Sequence, residues 1–379
     1  MPDAPRLSRN RAIAVWALVV VASLLLLVSS LTVWVKRQAL DTDSWVNVSG
    51  EMLANDEIRS QVSIYLVDSL FSSGDATTRL EEALPPNQAA LAPVIAGALR
   101  EVAVRLANQL LQSPRVQQLW EDVNRVAHEN LLNVLEGKDV RRFQTANGSV
   151  VLDLSPIVRQ LASRLGVSEN LAPDAGRITI LKSGQLKTAQ RSLRAIKALS
   201  VVLVFVVLFL YGLAIYLARG HRRRILRASA VSFVIVGLLL LIIRRIAGDA
   251  VVNSIVTTDS IRPAGHNAWL IGTSLLRAVA IGIVVYGLVT LLGTFLAGPT
   301  RPAVAARRWL APTFRDQPWL VFGCVALAFL LIVAWGPTGA TRSWWGILVL
   351  AALLGIGVEA LRRNTLSEFP DSTRTPKPA

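Results

Sequence analysis

The sequence is poor in the residues that carry most recognisable chemistry. Among 379 residues there is one cysteine, Cys324, and there are three histidines, His128, His221 and His266. A single cysteine excludes an intrachain disulfide and any cysteine-based metal site. The histidines lie in three separate regions without the ligand spacing of a zinc site. His128-Glu129 lacks the second histidine of a zinc-peptidase motif, and neither a phosphate-binding glycine loop nor a G-x-S-x-G elbow occurs. No cofactor or metal is expected, and nothing marks the chain as an enzyme.

Charge is also missing from long stretches. Hydrophobic residues make up 53% of the chain, and the mean hydropathy is +0.47. They gather in runs of about 18 residues or more, the length a helix needs to cross a ~30 Å hydrocarbon core. The net charge of +15 does not imply nucleic acid. Residues 40–194 hold about 16 basic and 18 acidic residues, so the long polar segment is near neutral. The basic excess sits beside the apolar runs, which fits the positive-inside rule and not a phosphate-binding face.

The first run, 12–35, follows Arg6, Arg9 and Arg11. It is longer than the apolar core of a cleaved signal peptide and lacks a small-residue cleavage site, so it is expected to be an uncleaved signal anchor. Lys36 and Arg37 at its exit run against the charge rule. The second span is expected at about 196–218, ending in the cluster Arg219, Arg222, Arg223, Arg224 and Arg227. A third is expected at 228–243, closed by Arg244 and Arg245, and a fourth begins between Trp269 and Val279. The fifth covers about Pro318 to Trp335, and the sixth Trp344 to Leu361, before Arg362 and Arg363. The N-terminus and the basic clusters at 219–227, 301–315 and 362–363 then share one side, the cytoplasm. The expected order is a cytoplasmic N-terminus (1–11), one span (12–35), an extracytoplasmic domain (36–195), five further spans (196–363) and a disordered cytoplasmic tail (364–379).

The polar domain reads as mainly helical. Asp41 to Ser44 start a helix with Trp45, Val48 and Met52 on one face. Asn55 caps a second, with Ile58, Val62, Leu66 and Leu70 as its stripe. A third, from about Ala92 to Leu111, carries Ile95, Leu99, Val102, Leu106 and Leu110 as a buried stripe. Ser113-Pro114 opens a fourth that stops at Gly137. Asn147-Gly148 between strand formers signals a hairpin, and 177–181 is a second β-like run. Asp153 is expected to cap a helix starting at Ser155. The last helix begins near Ser183 and runs unbroken into the second span.

With "LDTDSW", "LANDEIRSQV", "VLDLSPIV" and "ITILKSGQLKTAQRSL" entering a span, the chain resembles a family of uncharacterised actinobacterial multi-spanning membrane proteins with a large extracytoplasmic domain between the first two spans. The likeness covers roughly residues 10 to 220. It implies this topology and brings no activity, ligand or catalytic residue.

Candidate functional residues are few. Arg277 is either inside the fourth span, where a charge is costly and usually functional, or at the interface; the interface reading is preferred because 279–296 suffices as a span. Asp249, Asp259 and His266 share one loop and could form an outer-face site. Glu359, with Arg362 and Arg363 one turn on, suggests a local ion pair before a proton relay. The expected function is that of a plasma-membrane protein whose extracytoplasmic domain binds an envelope protein, a lipid or a wall component; the alternative is a transporter or channel through the six-helix bundle. Apart from the bilayer, no partner is named by the sequence, nucleic acid is excluded, and the oligomeric state is open.

Overall fold

The computed structural model describes residues 9–73, 85, 91–138, 149–153, 177–256, 258–335 and 344–369. It is mainly helical. In chain order it has α1 (Arg9–Ala39), α2 (Thr42–Ala54), α3 (Asp56–Ser73), α4 (Ala92–Gln112), α5 (Pro114–Glu136), β1 (Ser149–Asp153) and β2 (Arg177–Lys182). After these come α6 (Ser183–Leu217), α7 (Arg222–Ile255), a 3-10 turn (Asp259–Ile261), α8 (Arg262–Gly272) and α9 (Ser274–Leu296). The chain ends with α10 (Arg301–Asp316), α11 (Pro318–Trp335) and α12 (Trp344–Glu368). Among the described residues four helices, α1, α6, α7 and α9, are long and apolar enough to cross a membrane, and α10 with α11 forms a pair bent by 111° that would make a fifth if counted as one span.

The chain divides into two compact units. The first comprises Met1–Trp34, Ser200–Arg244 and Leu275–Ala379. Here α1 packs on α6 through Val15, Val19 and Ala22 against Val207, Tyr211 and Ala214. The Ser23 hydroxyl meets the Tyr211 hydroxyl at 2.9 Å, which satisfies two polar groups that hydrocarbon could not. Helices α7 and α9 approach closely at two glycines. A Cβ on Gly237 would lie 2.5 Å from Val284 Cγ2, and one on Gly287 would lie 2.8 Å from the Ala230 carbonyl. Small residues at a helix crossing let backbones come together where no hydrophobic force drives them.

The second unit comprises Val35–Leu199 and Arg245–Ser274. Asp41 caps α2, accepting from the Ser44 amide at 2.9 Å, and Asn55 caps α3 through the Ile58 amide at 3.2 Å. Gly137 ends α5 at φ 76°, the left-handed conformation that glycine adopts without steric cost. Ser113 departs from expectation: its hydroxyl donates back to the Leu110 carbonyl at 2.6 Å and does not cap α5. Strands β1 and β2 pair antiparallel, from Ser149 opposite Lys182 to Asp153 opposite Arg177. The two β-like runs therefore meet each other. The Asn147-Gly148 turn and the helix expected at Ser155 lie outside the described residues.

Three expectations are corrected. The third helix does not stop at Ile243 but continues through Arg244 and Arg245 to Ile255, so most of the expected outer loop is helical. Helix α12 extends to Glu368, past the expected start of the tail. The buried faces of the polar unit are also rotated. In α2 the buried residues are Val46, Ser49 and Leu53, and in α3 they are Arg59, Ser63 and Val67. In α4 the buried residues are Ala92 and Ala96. The expected α4 stripe is turned outward, with Ile95 38% and Leu110 63% exposed. Alanines on the facing side allow α4 to lie close to α3, which Arg100 secures by a paired contact to Asp68, with Nη2–Oδ2 at 2.8 Å.

Candidate functional site

In the first unit Arg223, Arg307 and Arg315 bind main-chain carbonyls at helix ends. Arg223, at the start of α7, donates to the Thr294 carbonyl near the end of α9 at 3.1 Å. Buried Arg307 of α10 donates to the Leu296 and Gly298 carbonyls and to Glu368 at 2.8 Å. Arg315 reaches the Phe369 carbonyl at 2.7 Å. Ala218 and Ile225 pack with Val15, near the start of α1. A cation over a helix C-terminus satisfies carbonyls that have no intrahelical partner and complements the dipole. Arg223 and Arg307 thus meet at the end of α9, and Arg307 and Arg315 tie α10 to the end of α12.

The second unit is tied together by buried polar anchors. Arg59 donates to the Ala54 carbonyl at 2.9 Å and to Asn108 Oδ1 at 3.2 Å. His128 stacks on Trp45 with ring centroids 5.0 Å apart. Its Nε2 lies 3.2 Å from the Ala39 carbonyl and its Nδ1 3.1 Å from the Thr42 hydroxyl. A carbonyl only accepts, so Nε2 carries the proton and Nδ1 accepts from Thr42. Burial pushes the His128 pKa below its ordinary value, against the smaller upward pull of the Ala39 hydrogen bond. Arg125 adds an ion pair to Asp43 at 2.6 Å. The segment after α7 joins this unit through Asn267, whose amide donates to Asn55 Oδ1 at 3.4 Å and Glu57 Oε2 at 3.2 Å.

The sequence candidates do not assemble into one centre. Arg277 is exposed and sits in the first turn of α9. Asp249 and His266 approach to 4.0 Å, too long for a hydrogen bond. Asp259 pairs instead with Arg262 at 3.0 Å. Glu359 accepts from Arg362 at 3.3 Å and Arg363 at 2.8 Å, the local ion pair expected. Among the described residues no group of three or more His, Cys, Asp or Glu could hold a metal ion.

What the sequence reading missed is the outward face of α4. Ile95, Leu99, Val102, Leu106 and Leu110 recur at helical spacing and are all exposed. They were visible as a stripe; the alanines opposite them were the signal that the other face would pack.

The sequence matches no family model, and comparison with curated proteins and with solved structures finds no match.

Proposed function

We propose that this is a six-span plasma-membrane protein with both termini in the cytoplasm. In this reading α12 is the sixth span, and residues 36–195 with the segment after α7 form an extracytoplasmic unit. That unit binds an envelope protein, lipid or wall component through α4. The observation that carries the binding role is the exposed α4 stripe on a unit whose own core is closed by other residues. Burying a leucine or isoleucine side chain is worth about 1.5–3 kcal/mol, so five such residues along one helix suit a groove that accepts an amphipathic helix. The meeting of Arg223 and Arg307 at the end of α9 supports the cytoplasmic assignment of that end. The resemblance to actinobacterial membrane proteins belongs to the same proposal.

The transporter alternative needs a polar path. The first unit has a cavity of about 180 Å³ between α1, α6, α7 and α9, lined mainly by apolar residues such as Leu26, Val207, Phe233 and Ile283, with Ser29 and Tyr286 as its polar residues and no charged one. The binding role is tested by placing a photo-crosslinking amino acid at Leu99 or Leu106 in cells. A discrete adduct at these positions, absent at Gln118 on α5 and lost in the full chain carrying Val102→Glu, is expected. Equal labelling at Gln118, or none at either α4 position, would overturn it.

A further inference from the structure

Lys36 and Arg37 end α1 on the side where the charge rule disfavours cations. As residues of the last turn they complement the α1 dipole, but that does not account for what they face. In the second unit they line a cavity of about 440 Å³ together with Leu40, Asp41 and Lys197, a size that suits a small ligand or headgroup. Lys197 lies inside α6, far from either helix end, so no dipole argument places it there. Its ammonium pairs with Glu136, which Lys138 also contacts at 2.5 Å; these two lysines hold the Glu136 carboxyl below the ordinary carboxylate range. The second carboxylate, Asp41, is engaged in capping α2. Three cations thus line the cavity against one lining carboxylate, Asp41, which is engaged in capping, while Glu136 holds Lys197 from outside the lining.

The position along the chain adds the second argument. Lys36 directly follows the apolar run 12–35, and Lys197 lies at the start of the second span expected at about 196–218. Both cations therefore mark the level where lipid phosphates lie if α1 and α6 cross the bilayer.

We propose that the cavity lined by Lys36, Arg37 and Lys197 binds the phosphate of an anionic lipid headgroup. Lys36 and Arg37 supply the unneutralised charge, and Lys197 is positioned by Glu136. The inference rests on the membrane reading above but not on which face is outside.

The test titrates the full chain in detergent with short-chain phosphatidylglycerol, with phosphatidylcholine of the same chain length, and with inorganic phosphate. Phosphatidylglycerol is expected to bind more tightly than phosphatidylcholine. Lys36→Gln and Arg37→Gln should each weaken it by about fivefold, the worth of one basic residue near an anionic surface, and Lys36→Arg should restore it. Lys36→Gln leaves the Lys197–Glu136 pair in place, so the result does not depend on whether Lys197→Gln folds. Inorganic phosphate binding as tightly as phosphatidylglycerol, and equally sensitive to Lys36→Gln, would overturn the lipid assignment in favour of a soluble anion. Equal affinity for the two lipids, or no loss in the double variant Lys36→Gln/Arg37→Gln, would overturn the site itself. A reversed orientation in cells would sink the extracytoplasmic reading and leave this result untouched.

Discussion

Replacing Arg59 by methionine should loosen the second unit more than any other single polar change in it. Arg59 is only 4% exposed. It has four partners: Ala54 O at 2.9 Å, Asn108 Oδ1 at 3.2 Å, Leu53 O at 3.5 Å and the Asp56 carboxylate. The Leu53 contact is at the limit of hydrogen-bond length, and Asp56 is 83% exposed, so that pair is worth little in water. The Ala54 and Asn108 bonds remain, each charge-assisted and worth about 1.5–3 kcal/mol. Methionine keeps the length of the stem and recovers about 1 kcal/mol of apolar burial. The net loss is about 2–5 kcal/mol. For a unit of this size that lowers the melting temperature by about 4–20 °C. Trp45, Trp120 and Trp269 belong to this unit and report its melting by intrinsic fluorescence in detergent. Arg115→Met, at an exposed position of α5, is the control and should change little. An Arg59→Met protein that melts with the control would refute the anchoring role.

Two further outcomes follow from the packing and the buried histidine. Because His128 titrates below its ordinary value in the folded protein, the unfolded chain takes up a proton first as pH falls. The stabilisation is fully present above the unfolded-chain value of about pH 6.5 and is lost below it, as pH falls through the lower folded-state value; melting curves between pH 7.5 and 5 should show the decline, and His128→Gln should flatten it. Asp68 and Glu136, whose pKa values are lowered by Arg100 and by Lys138 and Lys197, lose their share only at lower pH, and this separates the windows. Gly237→Ala and Gly287→Ala should each destabilise the α7–α9 crossing by about 1–3 kcal/mol, read as reduced yield of monodisperse protein in detergent; wild-type yield from both would contradict the close approach.

Much of the architecture was legible because bilayer and capping signals are local. The apolar run before Lys36, the Asp41 and Asn55 caps, Gly137 and the start of α6 at Ser183 all needed only their own neighbours in sequence. The continuation of α7 past Arg245 was not legible, since two arginines look like a span end but are good helix formers. Burial in α3 and α4 failed for a different reason. Both helices carry apolar residues around much of their circumference, so spacing alone could not choose between faces. The choice was made by partners distant in sequence: Arg59 turning inward to the end of α2 and to Asn108, and Ala92 and Ala96 packing while the larger stripe faces out. The cation cavity was hidden for the same reason, because Lys36 and Lys197 are far apart in the chain. Glu359, in contrast, pairs with Arg362 and Arg363 as their spacing in sequence suggests.

The most direct test of the account is the sidedness of the two groups of residues. In a Cys324→Ser background, single cysteines at Gln118 on α5 and Ala305 on α10, both exposed, are labelled in intact cells with a membrane-impermeant maleimide. The account predicts that Gln118→Cys reacts in intact cells and that Ala305→Cys reacts only after permeabilisation. Protection of Gln118→Cys together with labelling of Ala305→Cys in intact cells would contradict it.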